Sequence, residues 1–429
     1  MIVFLMGGGS RADISSLPYL RFVAAFAVGF ALLIIDRDAL SRIAIPLSLI
    51  GLIAVIALIQ LVPLPPELWA SLPEREMIAA IDELVAIDIW RPITLSPAAT
   101  INTLGALFVP SMVLLWLAIK GDARGALQCF LGLGVLSALL GILQLFSDPQ
   151  SGIYLYELTN RGSAVGLFAN RNHQAVFLAC CLLVSLHLAQ GNVIKVPWHR
   201  WAYIGSAFLF TLAILVNGSR AGLLTLTIAV FMSLSFAMAA RRSPKSVERR
   251  PSGWLAPSIL AGSGVLLVGI FLAAQRVPAF SRLMERNVIE DLRADLLPIS
   301  IDMARDFLPW GTGFGAFEHA YRMREPSELL MPAYVNEAHN DWLQFVIEGG
   351  LPALLLVIAG MAWAVLRVFK MMRAPASDWQ ANGLRWLGFG ILTILAVASS
   401  VDYPLRVPSI MALAITALAL MATPPIREI

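Results

Sequence analysis

The sequence predicts an all-α protein, a polytopic bundle of membrane-spanning helices. Of its 429 residues, 58% are hydrophobic and only 14% are charged, whereas a soluble protein carries about 25% charged residues. The mean hydropathy is +0.77. The apolar residues are grouped in runs of about 20, which is the length of a helix that crosses the hydrocarbon core of a bilayer. We therefore expect residues 1–429 to form a single integral membrane domain.

Eleven apolar runs predict the transmembrane helices. They lie at about 17–35, 43–63, 103–119, 126–146, 174–190, 201–216, 221–240, 255–275, 351–366, 385–400 and 407–422. Three longer polar intervals separate them, at 64–102, 147–173 and 276–342. At the N-terminus, six apolar residues stop at three glycines, which is too short for a span or a signal peptide. We interpret this segment as the tail of a helix whose start is missing from the chain.

Lysine predicts the orientation of the helices. The chain has four lysines, and the spans above place all of them on one side, together with the cluster RRSPKSVERR: Lys120, Lys195, Lys245 and Lys370. The positive-inside rule makes this side cytoplasmic. The loops 147–173 and 276–342 are then extracytoplasmic, and the C-terminus is cytoplasmic. On this assignment every extracytoplasmic cation is an Arg, whose planar fork matches phosphate better than the ammonium of Lys does.

The stretch EAHNDWLQFVIEGG, residues 337–350, places polar side chains where a long loop meets a hydrophobic helix. Such side chains are costly at a membrane boundary and mark a functional site by default. His339 is the candidate general base, because imidazole is the usual acceptor of a hydroxyl proton near neutral pH. Asn340 or Asp341 would fix its tautomer, and both are candidates for binding the substrate. The alternative for these two residues is a structural cap on the helix that is expected to begin near Trp342.

Arg220 lies in the tight turn NGSR between two predicted spans. The glycines near it, Gly218 and Gly222, allow a ligand or another helix to approach closely. Arg220 is therefore a candidate for binding an anionic group. The alternative is an arginine that extends to the lipid headgroups from the end of a helix.

The stretch 160–179 is dense in polar groups just before a span. The bilayer disfavours such groups unless they face a cavity. The guanidinium groups of Arg161 and Arg171 would clamp a diphosphate through paired hydrogen bonds, with Asn172 beside them. The alternative is an interfacial loop whose arginines contact lipid phosphates.

The loop 276–342 begins with apolar residues three and four apart, which predicts two amphipathic helices, broken near Pro298, on the membrane surface. The GTGFG run that follows lacks the Lys-Ser/Thr end of a phosphate-binding loop, and we interpret it as a flexible turn. No His/Cys pair has the spacing of a zinc site, so we expect no metal and no cofactor. The net charge is only +3 and the basic residues are dispersed, so nucleic acid is not an expected partner.

These signals together resemble the O-antigen ligase family, whose relatives include polysaccharide polymerases of the Wzy type. The family's signature is a His followed by Asn, Ser or Gln and, after nine more residues, a Gly. In this chain these are His339, Asn340 and Gly350. A small residue often follows three positions later, and here it is Ala353, a mild departure.

Two further segments carry the resemblance. An Arg-x-x-x-Leu element of the family matches Arg220 and Leu224, and GLFANRNHQA, residues 166–175, is similar to the family's glycine-to-asparagine segment before a span. The resemblance implies a GT-C-like bundle. Members usually have twelve spans, and the short N-terminus departs from that number.

The resemblance implies a metal-independent, inverting glycosyltransferase of the bacterial inner membrane, with its active site facing the periplasm. Such enzymes move a glycan from a polyprenyl-diphosphate carrier to an acceptor hydroxyl. Arg220, with Arg171 or Arg161, would stabilise the departing diphosphate, and His339 would take the proton. If the acceptor is lipid A–core oligosaccharide, the protein is a ligase; if it is another carrier-linked glycan, it is a polymerase.

Two alternatives belong to other functional classes. A polytopic transporter of a glycan or lipid would also place Arg and His within its helices. No internal inverted repeat is visible in the sequence, however, and the candidate charges gather on one face, which favours a surface-facing active site. The third alternative is a non-catalytic membrane assembly subunit.

Overall fold

The computed structural model describes residues 1–190, 197–241, 288–330, 334–374 and 382–423. Within these ranges the only sheet is a two-residue antiparallel ladder, with β1 (Pro63–Leu64) paired to β2 (Arg91–Pro92). The remaining regular structure is helical. The all-α class and the polytopic membrane architecture predicted from the sequence are therefore confirmed.

The described residues contain seventeen α-helices. Those of the first part of the chain are α1 (Ile2–Met6), α2 (Ser16–Ile34), α3 (Arg37–Arg42), α4 (Ala44–Gln60), α5 (Pro66–Ala70), α6 (Glu76–Leu84), α7 (Pro97–Ala106), α8 (Phe108–Lys120) and α9 (Ala123–Leu145). Those of the second part are α10 (Arg171–Gln190), α11 (Pro197–Asn217), α12 (Arg220–Arg241), α13 (Val288–Asp306), α14 (Phe317–Arg322), α15 (Asp341–Met372), α16 (Gly383–Ala398) and α17 (Pro408–Ala422).

Seven of these helical stretches are long and apolar enough to cross a membrane: α2, α7 with α8, α9, α10, α11, α12 and α15. Three shorter apolar helices accompany them: α4, α16 and α17. Every predicted span that falls on described residues corresponds to one of these ten. The predicted span at 255–275 lies outside the described residues.

Helix α10 lies at the centre of the bundle, where it packs against α9, α11, α12 and α16. In the most apolar stretch of α10, 83% of the residues are buried. In the corresponding stretch of α15, which lies at the outer edge, only 6% of the residues are buried. Small residues allow the close packing: a Cβ on Gly222 would come within 2.7 Å of Cβ of Ala175, and one on Gly134 within 2.9 Å of Sγ of Cys181. Between membrane helices, close packing of this kind supplies much of the attraction. Gly222 thus allows helix α10 to approach α12 closely.

Helix α15 is kinked at Gly350, whose backbone (φ 62°, ψ −150°) is not helical. Only glycine adopts this conformation readily, and a Cβ here would lie 2.2 Å from the carbonyl oxygen of Pro309. Ala353, one turn further on, is fully buried. The signature glycine and the small residue after it therefore mark the bend that separates the first turns of α15 from its membrane-spanning part.

The GTGFG run is not the flexible turn that we predicted. The kink leaves carbonyls of α15 without helical partners, and N–H groups of the GTGFG run donate to them. Thr312 N donates to Ile347 O at 2.9 Å, and Gly313 N donates to Glu348 O at 3.0 Å. From α4, Gln60 Nε2 also donates to Glu348 O, at 2.8 Å. The prediction was wrong because the need for these donors arises from a bend that is distant in sequence.

The predicted break at Pro298 is also absent. Helix α13 continues through Pro298 to Asp306. Beyond the proline, Met303 of α13 and Phe307, which follows the helix, pack in a buried cluster with Tyr321 and Ile347. This packing maintains the helix although proline removes one hydrogen bond of the helical ladder. The part of the predicted amphipathic pair before Val288 lies outside the described residues.

Candidate active site

Three helices begin at one place on the bundle, and hydrogen bonds link residues at their starts, partly through the turn 399–407. These helices are α10, α12 and α15, which begin at Arg171, Arg220 and Asp341. Ser219, just ahead of α12, donates from Oγ to Oδ1 of Asn172 at 2.7 Å. Asn172 donates from Nδ2 to Oδ2 of Asp402 at 2.6 Å. Because the aligned peptide dipoles of a helix give its start a partial positive charge, this junction favours an anion.

The polar residues that precede α10 form the cap of that helix. Asn170 accepts the N–H of Asn172 at 2.8 Å, and Asn160 accepts the N–H of Arg171 at 3.0 Å. Asn217, at the end of α11, donates to the carbonyl of Arg171 at 3.0 Å. These bonds satisfy groups that a helix start leaves open. They also fix the backbone from which Arg171 projects.

Arg220 occupies the first position of α12 and is exposed. The turn ahead of it is closed by Gly218, which has a φ of +68°, and by Ser219, whose Oγ accepts the N–H of Gly222 at 2.9 Å. Ser219 is thus the N-cap of α12, and it is also the residue that contacts Asn172. Arg220 therefore lies one residue away from the hydrogen-bonded junction.

His339 immediately precedes the cap of α15 and has a φ of +51°. A non-glycine residue rarely adopts this left-handed conformation, which costs of the order of 1–3 kcal/mol and clusters at functional sites. Asn340, the N-cap, accepts the N–H of Leu343 at 3.0 Å and donates to the carbonyl of Ser400 at 3.2 Å. The strained backbone directs the imidazole of His339 to the same turn, 399–407, that carries Asp402.

Asp402 is the residue that joins these elements. Its Oδ1 lies 3.2 Å from Nδ1 of His339, 3.9 Å from Nε2 of His173 and 3.0 Å from the N–H of Tyr403, which it accepts. Its Oδ2 accepts the bond from Asn172. The ring of Tyr403 contacts both imidazoles: its centroid lies 4.9 Å from that of His339 and 5.0 Å from that of His173.

The three side chains differ in how far they reach the surface. Asp402 is 1% exposed and His173 is 3% exposed, whereas His339 is 20% exposed. His339 is therefore the member that a substrate can reach. When Nδ1–H donates to the carboxylate, Nε2 keeps its lone pair and can accept a proton, and the buried carboxylate stabilises the imidazolium that forms.

A second charged cluster adjoins His339. Arg406 donates to Glu348, with Nη2 2.8 Å from Oε2 and Nη1 3.3 Å from Oε1. Its Nε lies 3.4 Å from Oε2 of Glu337 and 3.8 Å from Oδ1 of Asp341. Glu337 precedes His339 by two residues and Asp341 follows it by two. One guanidinium thus holds both sides of the strained turn.

Burial favours the uncharged form of both Glu337 and Arg406, but the neighbouring charges act on them differently. Desolvation raises the pKa of Glu337 to about 7, and the nearby Arg406 only partly opposes this. Arg406 is also desolvated, but Glu348, Glu337 and Asp341 together raise its pKa above its ordinary value. Arg406 is therefore a permanent cation, while Glu337 titrates near neutral pH.

The structural alternative, a cap on the helix, is realised by Asn340. Asn340 caps α15, as described. Asp341 is buried, and its Oδ2 accepts from Oγ of Ser399 at 2.9 Å and from the N–H of Leu405 at 3.0 Å. Both residues fasten α15 to the turn that carries Asp402. Any contact of theirs with a substrate stays a prediction.

Arg161 binds within its own loop. Its guanidinium donates to the carbonyls of Pro149 at 2.8 Å and Glu157 at 3.4 Å and lies over the ring of Tyr154. Its neighbour Asn160 is the residue that caps Arg171. Arg161 thus contributes to the shape of the loop before α10, and its predicted contact with a diphosphate is untested.

Asp402 and Arg406 were not among the residues singled out from the sequence, and His173 was noted only within its segment. Asp402 and Arg406 lie in VDYPLR, a polar turn between two apolar runs. The predicted topology places this turn on the same side of the membrane as NGSR. The signal that could have identified them was the presence of charged side chains in a short turn on the same side as the candidate residues. Within the described part of the chain, no group of three or more His, Cys, Asp or Glu side chains is arranged to hold a metal ion.

Residues 205–358 match the family model described as O-antigen ligase. This range contains Arg220, His339 and Gly350, three of the residues on which the resemblance was founded. The family predicted from the motifs is therefore confirmed. No curated protein matches the chain.

Proposed function

We propose, from the match of residues 205–358 to the O-antigen ligase family, that the chain transfers a glycan from a polyprenyl-diphosphate carrier to a sugar hydroxyl of lipid A–core oligosaccharide. The family indicates a membrane glycosyltransferase in O-antigen processing; the donor, acceptor and chemistry are our proposal. The observation that carries it is the contact between His339 and Asp402 at a junction of three helix starts. Two of those helices begin with an arginine.

His339 is the general base. As the acceptor hydroxyl oxygen attacks the anomeric carbon, its proton moves to Nε2 of His339, and the bond between that carbon and the diphosphate oxygen breaks. Asp402 keeps the proton of Nδ1 in place and stabilises the imidazolium. A direct attack from the side opposite the leaving group inverts the configuration of the anomeric centre. The donor contains its own leaving group, so the step requires no nucleotide.

The departing diphosphate gains negative charge, which fixed positive groups stabilise in a site shielded from water. The starts of α10, α12 and α15 supply partial positive charges. Arg171 and Arg220 supply full ones, and each stands at the first position of its helix. Asn172 follows Arg171, bonds to Ser219, the neighbour of Arg220, and is oriented by Ser219 and Asp402. This arrangement supports a diphosphate site beside the base.

Arg406 is a positioning residue for His339. It binds carboxylates on both sides of the left-handed turn, and the turn in which it lies also carries Asp402. Gln344 reinforces the same segment, because its Oε1 accepts the N–H of Ala338 at 2.7 Å. A shift of about 1 Å in a catalytic group can cost a hundredfold in rate. Arg406→Lys should therefore lower the turnover rate and leave KM nearly unchanged.

The junction faces the periplasm in our proposal, and the protein lies in the bacterial inner membrane with its C-terminus in the cytoplasm. Lys370 supports this orientation, because it lies near the end of α15, whose start is at the junction. Lys120, at the end of α8, fits the same orientation. By the positive-inside rule these ends are cytoplasmic. Lipid-linked donors would then reach the site from the surrounding bilayer.

The proposal is tested with purified protein in nanodiscs and a polyprenyl-diphosphate glycan donor. Two acceptors are compared: lipid A–core oligosaccharide and a second carrier-linked glycan. Transfer to lipid A–core alone supports a ligase, whereas chain extension of the carrier-linked glycan identifies a polymerase and overturns the acceptor that we propose. If neither product forms, while the protein moves the donor across a bilayer, the chain is a transporter.

A further inference from the structure

The interval 64–102 carries an apolar surface that the proposed transfer site does not use. In α6, Met77, Ile81 and Leu84 lie on one face at helical spacing, and they are 58%, 52% and 86% exposed. The chain after α6 continues the surface with Val85, Ile87, Ile89 and Trp90, all of them exposed. Contiguous apolar surface of this kind marks an interaction site.

The other side of α6 is fixed to the protein. Ile78 and Ala79 pack against a buried cluster that includes Trp69 and Ile93. Asp82 forms a two-point ion pair with Arg91 of β2, with distances of 2.7 and 2.8 Å. The helix therefore cannot turn its apolar face inward without losing these contacts. Its exposed face needs a partner from outside the described residues.

The position of α6 identifies that partner as the bilayer. Strand β1 begins three residues after α4 ends at Gln60, so it lies within about 11 Å of the end of that span. Arg75, which precedes α6, donates to the carbonyls of Ile93 at 2.8 Å and of Gly311 at 3.4 Å. Gly311 belongs to the run that binds the kink of α15. Helix α6 is thus anchored beside the ends of two spans.

Both of those spans present apolar side chains outward. Only 6% of the residues in the most apolar stretch of α15 are buried, and α4 exposes Leu52, Val55, Leu58 and Ile59. The exposed Val62 and Leu68 connect this lipid-facing belt with α6. Trp90 and Trp310, both exposed near this level, are of the residue type that is enriched where a membrane meets water.

We propose that α6 and residues 85–90 lie in the interfacial layer of the bilayer, with Met77, Ile81 and Leu84 facing the acyl chains and Glu83 facing water. Residues 76–90 contain no Lys or Arg, so burial of apolar area binds the segment, without attraction to anionic lipids. An anchor at this place holds the interval 64–102, and through Arg75 the run that supports α15, at a fixed depth. The inference does not depend on the proposed function.

Paired cysteine substitutions on the two faces of α6 test the proposal. Ile81→Cys and Leu84→Cys place a fluorophore on the apolar face, and Glu83→Cys places it on the polar face of the same helix. The exposed Cys129 is replaced by Ser, while Cys180 and Cys181 are buried and do not react. The full chain is reconstituted in nanodiscs of phosphatidylcholine, with or without a nitroxide-labelled lipid.

We expect the nitroxide lipid to quench the labels at positions 81 and 84 at least threefold more than the label at 83, with the reverse order for aqueous iodide. Replacing a third of the lipid by phosphatidylglycerol should not change this order. Equal accessibility of all three labels to iodide would overturn the proposal, because the face would then be in water. Protection of positions 81 and 84 from both quenchers would also overturn it, because protein would then cover them.

Discussion

Nδ1 of His339 lies 3.2 Å from Oδ1 of Asp402, although 63 residues separate them in the chain. The contact exists because α15 and α16 are neighbouring elements whose ends meet at the junction, where the N–H of Asp341 donates to the carbonyl of Ser399 at 2.9 Å. The proposed general base and the carboxylate that would orient it are thus carried by two different turns. A substitution at Asp402 therefore tests the proposed mechanism as directly as one at His339.

Asp402→Asn should abolish most of the transfer while the protein still inserts in the membrane. The amide keeps the size of the side chain but can donate to Nδ1, which moves the imidazole proton to Nε2 and removes the base. We expect a loss of about 10²- to 10⁴-fold, similar to that of His339→Ala. The measurement is the rate of glycan transfer in nanodiscs. Ser400→Ala, in the same turn, is the control and should keep wild-type activity; near-normal transfer by Asp402→Asn would remove the pair from the mechanism.

Arg220→Lys should be nearly as damaging as Arg220→Ala. Lys retains the charge but loses the planar fork that binds phosphate oxygens in pairs. We expect both variants to lose at least about tenfold in kcat/KM for the carrier-linked donor, equivalent to about 1.4 kcal/mol. Arg305→Lys, an exposed arginine on α13, is the control. Full activity of Arg220→Lys would show that position 220 acts as a point charge or as a membrane-surface anchor.

Glu337→Gln should stabilise the protein above neutral pH and change it little near pH 5. Burial raises the pKa of Glu337 from 4.5 to about 7, so the folded state binds a proton that the unfolded state releases between these values. Its contribution to stability therefore falls as pH rises from about 4.5 to 7. Thermal unfolding in detergent at pH 5, 6, 7 and 8 measures this. The wild type should lose several degrees of melting temperature relative to the variant across that range, at about 2–4 °C per kcal/mol. A parallel pH dependence of the two proteins would show that Glu337 is ionised throughout.

Transfer should be insensitive to EDTA and to removal of ATP when a polyprenyl-diphosphate donor is supplied. The proposed base is an imidazole, the proposed charge stabilisers are arginines and helix starts, and the diphosphate of the donor is the leaving group. The initial rate with and without 5–10 mM chelator is the measurement, with the donor held constant. A tenfold loss that a divalent ion restores would replace this mechanism by a metal-assisted one.

The helices could be predicted from the sequence because hydropathy alone determines which runs enter a membrane. Even the start of the main part of α15, after Gly350, coincides with the predicted run at 351–366. The GTGFG loop could not be predicted in this way. Its backbone is ordered by carbonyls of Ile347 and Glu348, which are free only because α15 bends.

The site shows the same limit. His339, Arg220 and Asn172 could be found because each is polar and stands directly at the start of an apolar run. Asp402 lies in a turn where an aspartate is common for local reasons, and its role depends on a partner 63 residues away. The cap formed by Asn340 was foreseen as an alternative, because capping is a local property of residue type and position.

The last prediction concerns topology, on which the lipid-linked donor depends. From the lysines we expect the ends of α8 and α15 to lie in the cytoplasm, and His339 and Arg220 would then lie in the periplasm. Two exposed serines, Ser327 in the loop before α15 and Ser41 in the short helix α3 between α2 and α4, allow a matched labelling experiment with single cysteines. In a variant without Cys129, a cysteine at position 327 should react with an impermeant maleimide in cells whose outer membrane has been made permeable. A cysteine at position 41 should react only after the inner membrane is opened. The opposite pattern would expose the junction to nucleotide-sugar donors in the cytoplasm and would remove the rationale for a polyprenyl-diphosphate substrate.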